Sequence, residues 1–365
     1  MEKKVIVAGI KYDIDMEHQT AKVIYRRYSG EIKIPSTIKY NREFYRVTAI
    51  NHCAFEECRD LTAITIPSSV VAIGENAFLS CWGLTSMVVE EGNPTYDSRE
   101  GCHAIIETMT NTLLFGCSNT SIPTSVTSIG DMAFFGFVDL KSITLPANLT
   151  TIGEYAFARC CSLKSLIIPA GVTSIGDFAF WACKELTSIV VEKGNTTYDS
   201  REDCHAIIET SSNTLVFGCR NTIIPRSVTA IGRFAFSECS DLKAIIIPDN
   251  VSFIGFGAFE RCSSLTSVTI PGSVDVIYYS AFWICDNLTV IVLGHGIRKI
   301  CGDAFRHTKK LTDVYCNSKD VPETDANAFT KSRTINATLH VPTEAVEKYR
   351  NAVPWKWFRD IVPLT

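Results

Sequence analysis

The sequence predicts a mostly β solenoid with short helical turns, in which coils of 23 residues stack on one another. Two observations predict this fold. The dipeptide Ala-Phe recurs at a fixed interval, and a strand-like Leu-x-x-Ile-x-Ile-Pro run recurs in step with it. A third observation, two longer intervals that contain near-identical segments, predicts two coils that differ from the rest. A fixed period of about 20–50 residues is the signature of a repeat architecture.

The Ala-Phe dipeptides are spaced by 23, 56, 23, 23, 56, 23, 23, 23 and 24 residues along the chain. Their alanines are Ala54, Ala77, Ala133, Ala156, Ala179, Ala235, Ala258, Ala281, Ala304 and Ala328. One coil buries little apolar surface alone, so neighbouring coils must share a continuous core. We therefore expect one array, rather than the two domains that 365 residues would otherwise suggest.

Each coil is predicted to contain two strands and a turn, as residues 163–183 illustrate. Residues 163–168 alternate apolar and polar positions and are rich in β-branched side chains, which indicates a half-buried strand that ends at Pro169. Residues 172–176 predict a second, shorter strand closed by a glycine. The spacing of Ala179, Phe180 and Cys183 is helical, but the segment is too short for more than a helical turn.

Two long coils interrupt the regular spacing. Residues 89–107 and 191–209 are near duplicates offset by 102 residues, which equals three ordinary coils and one coil of 33. In the long coils, residues 104–115 and 206–217 predict two strands around a polar turn. We expect β-hairpins that project from the solenoid, within inserts at about 91–117 and 193–219.

The two ends depart from the repeat, as capping units do. Residues 1–50 are predicted to form a cap and the first coil, with a hairpin of residues 10–14 and 21–25. Residues 51–337 form the solenoid. Residues 338–365 form the C-terminal cap, in which a short helix at 342–350 precedes Trp355, Trp357 and Phe358, which pack on the last coil and hide its strand edge.

Composition excludes several classes of protein. The net charge of −4 excludes a globally basic nucleic-acid binder, and 46% hydrophobic residues exclude a disordered chain. No apolar run approaches the ~20 residues of a membrane-spanning helix, and no signal-peptide core is present near Met1. The protein is therefore expected to be intracellular, or its chain begins after a removed signal.

One cysteine per coil follows Phe of the Ala-Phe dipeptide by three residues in seven coils. These residues are Cys58, Cys81, Cys160, Cys183, Cys239, Cys262 and Cys285. They lack the paired Cys-x-x-Cys spacing of zinc modules, so we interpret them as small buried hydrophobic residues rather than metal ligands. No metal site and no cofactor is predicted.

Four further cysteines lie at the bases of the predicted hairpins. If residues 109–110 form the first turn, Cys102 faces Cys117, and Cys204 faces Cys219 in the twin hairpin. Directly opposed Cβ atoms are ~4.5–5.5 Å apart, which is near disulfide reach. The sequence therefore allows two interpretations: the four cysteines form two disulfides, or they are free buried thiols.

The histidines beside two of these cysteines could suggest a catalytic pair. Adjacent strand residues point to opposite faces, so Cys102 cannot hydrogen-bond His103, nor Cys204 His205. Only the duplicated Cys-His-x-x-x-Glu pattern supports an enzyme hypothesis, and no triad or phosphate-binding loop accompanies it. We therefore predict that the protein is not an enzyme.

The outward side of the longer strands, here called the strand face, is the main candidate for binding. Two residues before each coil's proline, the outward column includes an apolar run of Ile167, Val190, Ile223 and Ile246. Five residues before the proline, a basic ladder consists of Lys141, Lys164, Arg220 and Lys243. At strand spacing, the apolar run would form a contiguous stripe ~15 Å long. Such a stripe suits a protein partner, although β-branched residues also simply favour exposed sheet positions.

An aromatic column offers an alternative surface. Tyr155, Phe178 and Phe234 occupy equivalent positions just before Ala-Phe. Three stacked rings could bind a sugar, or they could be buried between coils.

The consensus Leu-x-x-Ile-x-Ile-Pro-x-x-Val-x-x-Ile-Gly-x-x-Ala-Phe-x-x-Cys, together with Tyr-Asp-Ser-Arg at Tyr96 and Tyr198, resembles the BspA-like leucine-rich-repeat proteins of bacteria. The resemblance covers essentially the whole chain. It implies a right-handed leucine-rich-repeat solenoid, export or surface display, host or matrix proteins as partners, and no catalytic activity.

We therefore expect a non-catalytic protein that binds a macromolecule, most plausibly a protein, through the strand face. A glycan-binding module that uses the aromatic column or the hairpins is the alternative. An extracellular or cell-surface location follows from the resemblance, and a cytoplasmic one would follow from the absence of a signal sequence. No nucleic acid and no membrane span is expected.

Overall fold

Two kinds of strand alternate along the chain, in the order that the repeat predicts. The computed structural model describes residues 2–364. A longer strand such as Leu61–Ile66 is followed by a two-residue strand such as Ala72–Ile73. The longer strand pairs in parallel with Ser86–Val89 of the next coil, and the short strand pairs in parallel with Glu43–Ile50 of the preceding one. This stacking confirms the predicted β solenoid.

The described residues form two compact units. The first contains residues up to Leu163 together with Pro169–Cys183, and the second contains Lys164–Ile168 and the chain from Lys184 onward.

The first unit begins with an antiparallel cap. Ile10–Asp15 pairs with Thr20–Val23, which confirms the predicted N-terminal hairpin. The cap sheet contains, in pairing order, Glu2–Val7, Ile10–Asp15, Thr20–Val23, Glu43–Ile50 and Thr37–Tyr40, with Ala72–Ile73 also paired to Glu43–Ile50. The strand face is formed by Gly30–Lys33, Leu61–Ile66 and Ser86–Val89. A third sheet contains Tyr96–Asp97, Ile105–Glu107, Thr112–Phe115, Ser128–Ile129, Thr151–Ile152 and Ser174–Ile175.

The second unit repeats this plan. Its strand face is formed by a pair, Ser165–Ile168 and Ser188–Val191, and by a five-stranded sheet of Ser267–Ile270, Val290–Leu293, Asp313–Cys316, Thr338–Val341 and Asp360–Pro363. The sheet of short strands contains Tyr198–Asp199, Ala206–Glu209, Thr214–Gly218, Ala230–Ile231, Phe253–Ile254, Val276–Ile277, Lys299–Ile300 and Glu323–Thr324. Short 3-10 helices lie at Arg99–Gly101 in the first unit and at Arg201–Asp203 and Thr334–Asn336 in the second.

Both predicted hairpins form, but they do not project from the coils. Ile105–Glu107 pairs antiparallel with Thr112–Phe115, which in turn pairs in parallel with Ser128–Ile129 of the next coil. Ile106 and Leu113 are fully buried. The prediction of projecting hairpins is therefore wrong, because the second hairpin strand takes the position of a short strand and pairs with the short strand of the next coil. The twin hairpin of the second unit is integrated in the same way.

The Ala-Phe segments line the core as short turns, which form hydrogen bonds both within themselves and to the next coil. In the second unit, Phe259 stacks on Phe282 and Phe282 on Phe305, with ring centroids 5.1 and 5.3 Å apart. In the first unit, the amide of Phe157 donates to the carbonyl of Ala179 at 2.8 Å. Left-handed φ values occur in each turn, and the amides alternate: that of Arg159 also donates to the next coil, whereas that of Ala158 donates within the turn.

Two of the predicted longer strands do not form. The segments 140–145 in the first unit and 242–247 in the second carry the strand consensus, yet neither is a strand. Each segment lies in the second of the two coils that follow a hairpin insert. Ile245, whose equivalents Leu166 and Val268 are buried, is only partly buried there. Segment 242–247 is therefore seated less deeply than its counterparts, even though its sequence is equivalent.

The C-terminal cap contains the predicted helix, as a 3-10 turn at Thr343–Ala345 followed by an α-helix at Val346–Asn351. Trp355 is fully buried and meets the Phe329 ring edge-on, with centroids 5.5 Å apart. Phe358 also packs edge-on against Phe329, at 5.6 Å.

Trp357, by contrast, is 47% exposed. It follows Trp355 within a 3-10 helix, Trp355–Trp357, and therefore points away from the core. The prediction that this side chain packs on the last coil is wrong. The edge of Thr338–Val341 is covered by a further parallel strand, Asp360–Pro363, and not by the helix and the aromatic side chains as predicted.

Candidate binding surface

The strand face of the second unit presents the predicted apolar column to solvent. In the strand Ser165–Ile168, Leu166 and Ile168 are buried while Ser165 and Ile167 are exposed. Ile167 is 58% exposed, and it pairs directly with Val190, which is 41% exposed. The structure therefore brings this half of the column together, as neighbours on two paired strands.

The other half of the column is separated from the first by the hairpin insert. The Oγ atom of Ser188 lies 3.1 Å from Nδ1 of His205, and the amide of Ile223 donates to the carbonyl of Cys204 at 3.1 Å. Residues 204–205 thus lie between the strand Ser188–Val191 and Ile223. The predicted contiguous stripe is wrong, because the long coil returns its chain across the strand face before the next coil begins.

Ile223 and Ile246 lie together in a groove of about 770 Å³. They are 69% and 85% exposed, respectively. The groove is lined by two successive coils, through residues 222–224, Arg226 and residues 244–250. Apolar side chains this exposed contribute little to stability, so the groove is a candidate contact surface.

The backbone at this groove is also unpaired. Within residues 2–364, no strand pairing or backbone hydrogen bond involves residues 244–247. Backbone amides and carbonyls without protein partners form a ready edge for an extended chain. This feature was not foreseen, since the sequence of segment 242–247 matches the strand consensus.

The predicted basic ladder is not uniform. Arg220 forms ion pairs with Asp241 at 3.4 Å and Glu185 at 4.0 Å, so its charge is compensated on the strand face. Lys164 and Lys243 are exposed, and neither has a carboxylate partner in the part of the chain that the structure describes. Lys141 lies exposed in the first unit. In the second unit, the uncompensated charge of the ladder therefore comes from Lys164 and Lys243.

The rings of the aromatic column contact other aromatic rings of the chain. In the first unit, the rings of Tyr155 and Phe178 stack with centroids 4.9 Å apart and an angle of 8° between their planes. In the second unit, Phe234 meets the edge of Phe256 at 5.1 Å. Each ring of the column is half-buried. The faces that a sugar platform needs are thus partly occupied, which favours burial between coils.

The hairpin cysteines are free thiols, not disulfides. The register near each turn is the predicted one, but it shifts between Ile105 and Ile106 and, in the twin, between Ile207 and Ile208. The prediction that Cys102 directly faces Cys117, and Cys204 faces Cys219, is therefore wrong. The thiols of Cys117 and Cys219 instead hydrogen-bond the carbonyls of His103 and His205, at 3.1 and 3.2 Å.

The cysteines and histidines of the hairpins do not form catalytic pairs. Sγ of Cys204 hydrogen-bonds the carbonyl of Ala206, while Nδ1 of His205 faces the Ser188 hydroxyl. Burial raises the pKa of Cys204 to about 11, which disfavours the nucleophilic thiolate. His103 and Ser86 repeat this arrangement in the first unit, at 3.2 Å.

The column of one cysteine per coil is structural. In the second unit, the thiols of Cys262 and Cys285 donate to the carbonyls of Phe236 and Phe259 in the preceding coils, both at 3.2 Å. Each thiol thus links two coils through a hydrogen bond, a role beyond that of the small buried hydrophobic residue that the sequence predicts. No group of three or more potential metal ligands occurs among residues 2–364. Every helix within the same range is too short or too polar to cross a lipid bilayer.

Comparison with solved structures shows the same fold in two bacterial proteins. A leucine-rich cell surface protein from Faecalibacterium prausnitzii A2-165 aligns with a TM-score of 0.59 and 22% identity, over 100% of this chain and 95% of its own. The pneumococcal vaccine antigen PcpA aligns with a TM-score of 0.55 and 16% identity, over 100% of this chain and 98% of its own. A comparison with curated proteins gave no match.

A family model for the BspA type leucine rich repeat region matches six copies, over residues 30–102, 108–210 and 216–336. These matches span most of the sequence and leave residues 103–107 and 211–215, within the two hairpin inserts, unmatched. The chain therefore belongs to the BspA-type leucine-rich-repeat proteins.

Proposed function

We propose that this protein is a non-catalytic binding protein of the bacterial cell surface, and that the strand face of its second unit docks another protein. The observation that carries the proposal is the groove at Ile223 and Ile246. Two strongly exposed isoleucines lie there beside a backbone segment without hydrogen-bond partners. Aliphatic side chains offer an apolar contact, and the unpaired edge accepts an extended segment of a partner.

The charges around the groove favour an acidic partner. Lys243 directly precedes the unpaired residues 244–247, and Arg226 lines the groove together with one acidic residue, Asp249. No carboxylate within the described residues 2–364 forms an ion pair with either cation. Uncompensated charges at the rim of an interface speed association and make it dependent on salt. Family membership supports host or matrix proteins as partners, and the cell-surface relative supports the proposed location.

The proposal is tested by binding to a panel of immobilised matrix proteins. The native chain is compared with the Ile223→Ser, Ile246→Ser double variant, and with a control in which Ile6→Ser and Met109→Ser alter exposed apolar residues elsewhere. We expect the groove variant to weaken binding of a panel member by about tenfold or more, since loss of two contacts at an interface centre costs over ~1 kcal/mol each.

The control variant is expected to bind as the native chain does. A Lys164→Glu, Lys243→Glu variant is expected to weaken the same interaction mainly at low salt. If the groove variant binds the panel member as tightly as the native chain, the strand face is a scaffold and the proposal fails.

A further inference from the structure

A second charged surface lies on the turn side of the second unit, away from the strand-face groove. Two successive coils contribute the turn segments 306–310 and 330–334, which read Arg-His-Thr-Lys-Lys and Thr-Lys-Ser-Arg-Thr. Neither segment contains an apolar residue or an acidic one. Together they carry Arg306, His307, Lys309, Lys310, Lys331 and Arg333.

Backbone hydrogen bonds hold the two turns side by side. The amide of His307 donates to the carbonyl of Thr330 at 3.2 Å, and the amide of Arg333 donates to the carbonyl of Thr308 at 3.3 Å. His307 and Lys331 both have left-handed φ values, 64° and 60°. At the offset of 24 residues, His307 is equivalent to Lys331 and Lys309 to Arg333, so basic side chains occupy two matching positions of adjacent, hydrogen-bonded turns.

Most of this positive charge is uncompensated. Arg306 pairs with Asp303 at 3.4 Å and Lys309 with Asp286 at 3.2 Å. Lys310, Lys331 and Arg333 are exposed, and none of them forms an ion pair within the region that the structure describes. Three free positive charges thus share one surface of a chain whose net charge is −4.

The electrostatic environment of His307 is consistent with this cluster. Desolvation lowers the pKa of His307, and the charges of Lys331, Lys309 and Arg306 lower it further. Lys331, Lys309 and Arg306 therefore all lie close enough to His307 to act on it, which places cations of both turns around one point of the surface.

We propose that this turn surface, formed by Lys309, Lys310, Lys331 and Arg333, binds a sulfated polysaccharide. Ammonium and guanidinium groups on rows about 5 Å apart suit a polymer with repeated anionic groups. The guanidinium of Arg333 can bond two oxygens of one sulfate. Segments 306–310 and 330–334 contain no apolar residue. The exposed Ile335 that follows them gives less apolar surface than the apolar face that typically enters a bilayer. The two segments also contain no aromatic platform for the bases of a single-stranded nucleic acid.

The test is the affinity of the full chain for heparin, measured by calorimetry at about 50 mM and about 300 mM salt. The binding variant carries Lys310→Ser, Lys331→Ser and Arg333→Ser. The control variant carries Lys4→Ser, Lys22→Ser and Lys184→Ser, which removes the same charge from dispersed exposed positions. Neutral dextran, single-stranded DNA and vesicles of phosphatidylglycerol are the comparison ligands.

We expect the binding variant to bind heparin at least about tenfold more weakly than the native chain, with the salt dependence of log K reduced by about two to three. The control variant should stay within about twofold of the native chain. The strand-face variant Ile223→Ser, Ile246→Ser should bind heparin normally, so failure of the strand-face proposal would leave this result unaffected.

Three results would overturn the inference. They are a native chain that does not bind heparin at low salt, equal losses in the binding and control variants, and a binding variant as tight as the native chain. Tighter binding of DNA or vesicles than of heparin, lost in the same variant, would replace the polysaccharide with that ligand.

Discussion

The strand face of the second unit contains two regions that differ in structure although their sequences share one consensus. From Ser267 to Pro363, five parallel strands pair without interruption. Between Ser188–Val191 and that sheet lie two coils whose equivalent segments form no strand, and whose isoleucines face an open groove. The hairpin insert precedes the second region and not the first. The strand consensus of one coil thus specifies which residues face the core, whereas the neighbouring coil decides whether its backbone forms a paired strand.

The largest expected effect is a loss of stability on truncation of a core phenylalanine. Comparing this loss between the two regions tests whether the core beneath them is packed equally well. Phe282 lies in the regular region, whereas Phe236 lies in the coil that adjoins the hairpin, and both are stacked and buried. Phe282→Ala and Phe236→Ala should each lower the free energy of unfolding by about 3–5 kcal/mol, because each leaves a cavity. Urea titration measures the change, and Phe44→Ala at an exposed position is the control. A much smaller loss for Phe236→Ala would show that the interruption extends into the core.

Hydrogen exchange tests the backbone difference directly. Amides of residues 244–247 have no acceptor within the described chain, whereas those of Val290–Leu293 lie in a strand paired on both sides. We expect the unpaired amides to exchange at least about 100-fold faster in the free protein, because exposed amides need no opening step. Equal protection of the two segments, measured by mass spectrometry or NMR, would remove the open edge from the proposed binding surface.

A smaller effect tests how the hairpin is integrated. A Cβ atom on Gly218 would overlap Cε1 of Phe236, a ring that is almost fully buried. Gly218→Ala should therefore cost about 2 kcal/mol of stability through overpacking. Gly194→Ala, at a left-handed φ of 96° with no atom within 4 Å, should cost only about 1 kcal/mol. Similar losses for the two variants, measured by urea titration, would indicate that the hairpin packs less tightly against Phe236.

The sequence alone determined the period, the buried and exposed sides of the regular strands, and the family. These follow from local rules: alternation fixes the buried side of a strand, and stacking fixes the core position of the Ala-Phe phenylalanines. The expectation of a β solenoid was confirmed for that reason. The hairpins could also be predicted, since an antiparallel pair around a polar turn is local in the chain.

Only the tertiary structure decided what these elements contact across coils. The hairpin could be foreseen, but not its place in the sheet, because pairing with Ser128–Ile129 involves a different coil. The same holds for residues 204–205, which divide the apolar column, and for Glu185 and Asp241, which compensate Arg220. Such contacts depend on how far one coil is displaced from the next. That displacement is set by the length of the inserted chain and by packing beneath it, and no single repeat encodes it.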